Sequence, residues 1–248
     1  MKFFFLFLPF FLYAQNPTPK KYSRPVLKDF QFSIASFFSS KIVYRGALIW
    51  NSPVMAVGPG LTIYDTFSFG RGGLTIKKKI HNHKFRLGSE MFSGRPGFPL
   101  IKLKDKVLDY KNSREATWGL FLSHEYKKKF DHKFIKLKSS YHKDLNEHHG
   151  NYFNLDLSVS VIPLVSFGIA GGLGDLKHNK YVYGSGAISG QAHLDYKVEV
   201  FMPFLPLGGF MIMNYTKAQV SQSENILASR IRGKKSNSKY SLVAIWLL

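Results

Sequence analysis

Cysteine is absent from the 248 residues. That excludes a disulfide framework, thiolate-held zinc or iron–sulfur centres, a thiol nucleophile and a lipid-modified N-terminal cysteine. Acidic residues are scarce: 15 Asp and Glu stand against 35 Lys and Arg, a formal net charge of +20. Beyond residue 14 no uncharged apolar run approaches the ~18 residues of a membrane helix, so a helical membrane protein is excluded. A shortage of apolar residues is not a feature of the chain. At 45% hydrophobic and 16% aromatic it is far richer than disordered chains, so a folded protein is expected. A chain this basic meets something anionic: nucleic acid, a membrane surface or an acidic polymer.

The N-terminus chooses among these. The chain opens MKFFFLFLPFFLYAQNP, with Lys2 before an apolar run that ends at Ala14. The run is too short to span a bilayer but has the form of a secretory signal, with cleavage after Ala14. The expected organisation is a signal peptide at 1–14, a periplasmic N-terminal segment at 15–27 and a β-barrel at 28–248. Export leaves no role with nucleic acid.

What the mature chain does have is a period of two. In residues 187–202, Ile188, Gly190, Ala192, Leu194, Tyr196, Val198, Val200 and Met202 share one face, opposite Ser189, Gln191, His193, Asp195, Lys197 and Glu199. The same alternation runs through 152–161 and 165–173, where Phe153, Leu155, Leu157, Phe167 and Ile169 interleave with Asn154, Asp156, Ser158, Ser166 and Gly168. Soluble strands average ~5–6 residues. Longer strands with apolar residues out and small or polar residues in define a transmembrane barrel, which must close because lipid tolerates no unpaired backbone.

The expected fold is therefore all-β, a transmembrane antiparallel barrel. Its strands are read at 28–38, 42–50, 53–64, 66–77, 83–93, 114–127, 130–141, 151–161, 164–173, 187–202, 205–217 and 238–248. That gives twelve strands, with 39–52 readable instead as a loop and ten strands as the structural alternative; a soluble β-sandwich or lipocalin-like barrel is the other architecture. Links at Asn51–Ser52, Lys78–Asn82, Lys128–Lys129, Ile162–Pro163 and Pro203–Phe204 are short, and those at 94–113, 142–150, 174–186 and 218–237 are long. Short periplasmic turns and long external loops are the barrel pattern. Tyr44, Trp50, Tyr64, Phe92, Trp118, Tyr126, Tyr141, Tyr196, Tyr215 and Trp246 fall near strand ends, as an interfacial aromatic girdle does.

Two segments carry a family resemblance. PVMAVGPGLTIYDTFSFGRGGLTI at 53–76, with Pro53, Tyr64, Asp65, Phe67, Phe69, Gly72 and Gly73, resembles the early region of the MipA/OmpV family of MltA-interacting proteins. Tyr44-Arg45-Gly46 is similar to its Tyr-x-Gly element, and Asn179, Tyr181, Tyr183 and Gly184 to its Tyr-rich loop. The resemblance implies an outer-membrane barrel, either a scaffold between a murein hydrolase and a murein synthase or an adhesion-related surface protein; the expected function is a non-enzymatic scaffold or structural envelope protein. The implied partners are outer-membrane lipids and lipopolysaccharide, the periplasmic murein enzymes or peptidoglycan, and the outer-membrane assembly machinery.

Residues for chemistry are few, and no catalytic, cofactor or metal residue is assigned. Ser189, His193 and Asp195 share one strand face, but neighbours two apart on a strand stand ~6–7 Å apart, and no activating turn surrounds the serine. They are read as lumen polarity, with a lipid-modifying hydrolase barrel as one alternative function and a narrow pore or transporter as another. His81-Asn82-His83 and His148-His149 fall in turns or loops. The glycines at 70–73 and 171–174 are read as strand bends, since no phosphate-loop Lys-Ser/Thr follows. Lys77-Lys78-Lys79 and Lys127-Lys128-Lys129 are expected at periplasmic turns, as a solvated face or a basic rim for an acidic partner. External lysines and arginines such as Lys177, Lys180 and Arg230 are expected to face lipopolysaccharide phosphates.

Overall fold

The structure is a computed structural model that describes residues 30–50, 53–70, 73–92, 100–102, 116–131, 133–205, 209–231, 233 and 235–248. The expected signal peptide and periplasmic segment lie outside the described residues. The strands are β1 (Phe30–Ser39), β2 (Ile42–Tyr44), β3 (Ala47–Trp50), β4 (Val54–Ile63), β5 (Phe67–Gly70), β6 (Gly73–Ile80), β7 (His83–Phe92) and β8 (Leu100–Lys102). They continue as β9 (Thr117–Phe130), β10 (Lys133–Asp144), β11 (Asn151–Ile162), β12 (Val165–Gly174), β13 (Gly190–Leu205), β14 (Gly209–Val220) and β15 (Ser236–Leu247). Two short helices, α1 (Leu176–Tyr183) and α2 (Ser223–Leu227), stand in the loops before β13 and β15.

Twelve of these strands close a ring. β1, β4, β5, β6 and β7 are followed by β9 through β15, and β15 pairs back onto β1 from Ser33↔Leu247 to Ser39↔Ser241. Every neighbouring pair is antiparallel and the ring closes, as a bilayer requires; β4 meets β5 only from Leu61 to Ile63, and β8 pairs with the first residues of β4, from Val54↔Lys102 to Ala56↔Leu100. Alternation decides what each face meets. On β11, Phe153, Leu155 and Leu157 point outward and are 40–46% exposed, whereas Ser158 and Ser160 point inward and are buried. Phe167, Ile169, Leu122 and Leu137 continue the same exposed apolar exterior. This is a transmembrane barrel by construction: an apolar coat that only lipid satisfies, around a polar interior.

The turns sort by end. At one end lie the tight turns Tyr64–Asp65, His81–Asn82 and Pro163–Leu164, with positive φ at Tyr64, Asp65, His81, Asp131 and Leu164. β1 begins and β15 ends there too. At the other end, among the described residues, lie the loop 145–150 and the helix-bearing connections from β12 to β13 and from β14 to β15. The aromatic girdle is sound for Trp118, Tyr141 and Tyr196, all outward and 44–46% exposed, and for the outward pair Tyr215 and Tyr240, whose ring centroids lie 5.0 Å apart. The side chains of Trp50 and Phe92 lie outside the described set.

Twelve is the observed number, but two of the expected strands are different objects. The expected strand 42–50 is the hairpin β2–β3, a separate two-stranded sheet outside the barrel wall. Arg45 and Gly46 form its turn with φ of 50° and 83°, the paired positive φ of a tight hairpin. The expected strand 66–77 is two strands, β5 and β6, that turn on each other with Gly70 opposite Gly73. The glycines read as bends make this hairpin; Gly73 sits at φ 114°, and an added Cβ would lie 2.5 Å from Ser89 Oγ. One strand lost and one gained leaves the count unchanged. Asn51–Ser52 lies outside the described residues, and β4, which follows it, starts at the long-loop end rather than at a periplasmic turn. The alternation expected across 187–202 also slips: the β12–β13 register shifts between Gly172 and Leu173, which lets Ala192 and His193 both be buried.

Candidate functional site

The hairpin β2–β3 leaves the wall between β1 and β4 and folds into the long-loop mouth of the barrel. Its apolar residues Ala47 and Ile49 pack with Val182 and Tyr183 of α1, Val220 of β14 and Ile231, the main cluster of buried apolar side chains. The turn itself presses on the far wall. A Cβ on Gly46 would stand 3.2 Å from both His193 Cβ and Val220 Cγ2. Its backbone is fixed from three sides: Tyr183 donates its hydroxyl to the Arg45 carbonyl at 2.8 Å, Asn237 Nδ2 donates to the Gly46 carbonyl at 2.8 Å, and Lys239 Nζ reaches the Val43 carbonyl at 3.5 Å.

Arg45, at the tip, is the centre of the site. Its guanidinium carbon lies 3.4 Å from the centroid of the Tyr152 ring and 4.6 Å from that of Tyr44. Its Nη1 lies against the His178 ring, within hydrogen-bond reach of Nε2 and of Nδ1. Arg45, Glu90, His142, Asp144, His148 and His178 line a polar cavity of about 20 Å³, room for one water. His142 in turn pairs with Glu90 at 2.5 Å and Ser140 Oγ at 3.0 Å.

The local sequence explains why the loops can hold this geometry. Asp144 ends β10, and its Oδ2 accepts from the backbone N–H of Glu147, His148 and His149 at 2.9, 2.7 and 2.9 Å, folding the 145–150 loop over the cavity. Asp175 caps α1: its Oδ1 accepts from His178 N at 2.8 Å, and its Oδ2 accepts from Asn151 N at 2.8 Å. Burial raises the Asp175 carboxyl, but these donors outweigh that and hold it below the usual carboxylate range. His178 lies fully inside the loop cluster, and burial, followed by the Arg45 charge, pushes its imidazole well below the ordinary value. Burial lowers His148 as well, with Asp144 opposing and Arg45 reinforcing. Both rings are therefore neutral at pH 7, which is what lets them pack against a guanidinium. Burial drives the Tyr183 hydroxyl well above its ordinary range, so it serves as a hydrogen-bond donor only.

Two of the three residues of the serine set come together, without the serine. His193 Nδ1 donates to Asp195 Oδ1 at 2.8 Å, which fixes the tautomer and leaves Nε2 to accept from the Tyr152 hydroxyl at 2.5 Å. Ser189 stands in an exposed bend ahead of β13. Tyr152 occupies the place a nucleophile would need, and at 4% exposure it is closed to substrate. This chain of bonds braces the wall that Arg45 rests on. His83 stacks on His124 with ring centroids 5.2 Å apart, and His148 meets the His178 ring edge-on. The sequence reading did not single out Tyr152 or His178, and it used Arg45 only for resemblance. The available signal was Arg-Gly between two β-branched or aromatic runs, which reads as a tight turn.

Below the hairpin the lumen is lined by charged and small residues. Arg86 pairs with Glu125 at 3.1 Å, and Lys197 with Asp156 at 2.5 Å, all on inward positions. The lining on β14, β15, β1 and β4 is mostly small or apolar, with Ile212, Val243, Phe37 and Ala56 at inward register positions.

Fold and site together define a transmembrane β-barrel whose outer mouth is narrowed by an in-folded hairpin. No family model and no curated protein sequence matches the chain. Among solved structures it is similar to the COG4313 outer membrane channel from Pseudomonas putida F1, with TM-score 0.44 and 13% identity over 94% of this chain and 100% of that one. It is also similar to OmpT, an outer membrane protein of Vibrio cholerae, with TM-score 0.35 and 7% identity over 89% of this chain and 97% of that one. OprD of Pseudomonas aeruginosa follows with TM-score 0.33 and 6% identity over 89% of this chain and 94% of that one. The MipA/OmpV resemblance has no counterpart in these comparisons.

Proposed function

We propose that this chain is a non-enzymatic outer-membrane channel, exported by its N-terminal signal, that passes small solutes through a lumen closed at rest by the hairpin β2–β3. The observation that carries this reading is the charged interior. Inward lysines without an ion-pair partner among the described residues, such as Lys77, Lys84, Lys127 and Lys136, would be stranded at high cost inside a dry, sealed barrel, whereas a hydrated lumen solvates them. The hairpin is held by the buried apolar pair Ala47 and Ile49 together with hydrogen bonds and one cation–π stack onto the wall, a partly polar hold that suits a constriction that opens. The test is single-channel recording of the refolded barrel in planar bilayers. Discrete conductance steps support the reading, and a silent barrel with its hairpin removed contradicts it.

A second reading has its own observation. Among the described residues the hairpin tip and the loops around it leave a polar cavity of about 20 Å³, and a barrel that never opens retains only a structural role. That role is the scaffold between murein hydrolase and synthase, with peptidoglycan, outer-membrane lipids and lipopolysaccharide as neighbours and the assembly machinery acting at insertion. Crosslinking in whole cells separates the two: specific adducts with murein enzymes favour the scaffold, and their absence alongside conductance favours the channel.

A further inference from the structure

Strand alternation splits the two lysine triplets. Lys77 and Lys79 face the lumen and Lys78 faces outward; Lys127 and Lys129 face the lumen and Lys128 outward. Side-chain contacts agree. Lys127 Nζ stands 4.1 Å over the inward Phe134 ring, and Lys128 Nζ 5.1 Å from the outward Phe130 ring. A rim for a periplasmic partner therefore keeps only alternate residues of each triplet, and the others point into the barrel.

Register then places like charges against one another. Lys77 is directly opposite Arg86, Lys79 opposite Lys84, and Lys127 opposite Lys136. Side chains so opposed are ~5 Å apart at Cβ, and like charges there destabilise the pair. The nearby acids among the described residues form no ion pair with them: Glu199 faces the lumen on β13, opposite Ser166 and Asn214, and meets their charge only from across it. Glu125, opposite Lys84, is engaged by Arg86 at 3.1 Å. Asp156 is engaged by Lys197 at 2.5 Å. Among the described residues Lys77, Lys79, Lys84, Lys127 and Lys136 have no ion-pair partner. They sit on the adjacent strands β6, β7, β9 and β10, one side of the lumen, across from low-polarity residues such as Ile212 and Val243. A cluster with this excess of cations facing a largely apolar wall focuses its field into the space between.

We propose that this half of the lumen, toward the short turns, is a binding site for small multivalent anions, solutes with several phosphate or carboxylate oxygens. One such anion bridges opposed ammonium and guanidinium groups and converts three repulsive cross-strand pairs into charge-assisted hydrogen bonds. The site deepens the channel reading and rests on it for its purpose, since it names what the lumen selects. It does not depend on conduction for its detection.

The experiment uses the refolded full-length barrel in detergent, with tripolyphosphate and citrate as probes at constant ionic strength and chloride as the reference anion. Heat-modifiable gel migration reads the unfolding midpoint, and titration calorimetry reads the affinity. The expected result is a rise in midpoint with either multivalent anion, and affinity about tenfold weaker in Lys77→Gln/Lys127→Gln/Lys136→Gln. Lys78→Gln/Lys128→Gln, on the outer face, retains wild-type affinity. Equal loss in both variants, or no difference between multivalent anions and chloride, overturns the site. A response to tripolyphosphate alone assigns it to phosphoryl compounds, and a response to both assigns it to polyanions in general. A barrel that binds but is silent in bilayers keeps the site and loses the channel; one that conducts but ignores multivalent anions keeps the channel and loses the site.

Discussion

The guanidinium of Arg45 lies 3.4 Å from the centre of the Tyr152 ring, which joins the tip of the in-folded hairpin to the wall at β11. Tyr152 is held in turn by His193, and His193 by Asp195. A partly desolvated cation–π contact is worth about 2 kcal/mol. Arg45→Ala is therefore expected to raise the open population of the mouth about 30-fold at equilibrium, seen as longer openings in single-channel records. Arg45→Lys should restore part of the closure, because an ammonium keeps the ring contact and loses the planar donor fork. Unchanged gating in Arg45→Ala would remove the hairpin from the mechanism.

Gly172 has no room for a side chain: a Cβ there would stand 2.1 Å from the Tyr152 hydroxyl. Gly172→Val should displace Tyr152 from His193 and cost about 1–3 kcal/mol of overpacking. Urea unfolding in liposomes measures the cost, and the channel should become leakier with the barrel still folded.

The mouth should loosen in acid. His178 and His148 are held neutral in the closed loops by burial, with Arg45 adding repulsion to any added proton, while Asp144 and Asp175 partly favour it at His148. Once the loops open, both rings return toward the ordinary histidine value of ~6.5. Closure is then strongest above that value and weakens as pH falls below it, because the open form binds protons first. Open probability is expected to rise between about pH 7 and pH 5, and His148→Gln/His178→Gln should flatten that dependence. A profile that rises toward alkaline pH would refute the assignment.

The two faces of the wall should respond oppositely to charge. Leu157 is outward and 40% exposed, so Leu157→Arg near the bilayer midplane should cost about 2–4 kcal/mol. Asn214 is inward, at the register position opposite Glu199, and Asn214→Arg should cost far less. Equilibrium unfolding in liposomes compares them; equal penalties would mean that the exterior does not face lipid.

Much of this architecture is legible in the sequence because the wall obeys one rule. Strands β9 to β15 alternate strictly enough that β11 and β12 match expectation to within a residue or two at each end. The failures occur where the chain departs from that rule. Residues 42–50 are apolar on both alternating faces, and only the Arg45–Gly46 turn marks them as a hairpin. Gly70 to Gly73 read as bends within one strand, whereas Gly70 and Gly73 face each other across a hairpin and Gly73 closely approaches Ser89. Helix α1 is too short for a periodic signal and is set by the Asp175 cap and by burial against the hairpin. The site was less legible than the fold, because Arg45, Tyr152 and His178 are far apart in sequence. The lysine triplets were visible, but their division into lumen and lipid positions required the register.

The central claim, a lumen stoppered by β2–β3, is tested most directly by removing the stopper. Ser39 and Val54 are already cross-strand partners on β1 and β4, so residues 40–53 can be replaced by an Asn-Gly turn without moving the wall. The account predicts that this barrel still shows heat-modifiable migration and conducts persistently in planar bilayers, with larger steps than the parent chain. A folded barrel that remains electrically silent without its hairpin would contradict it.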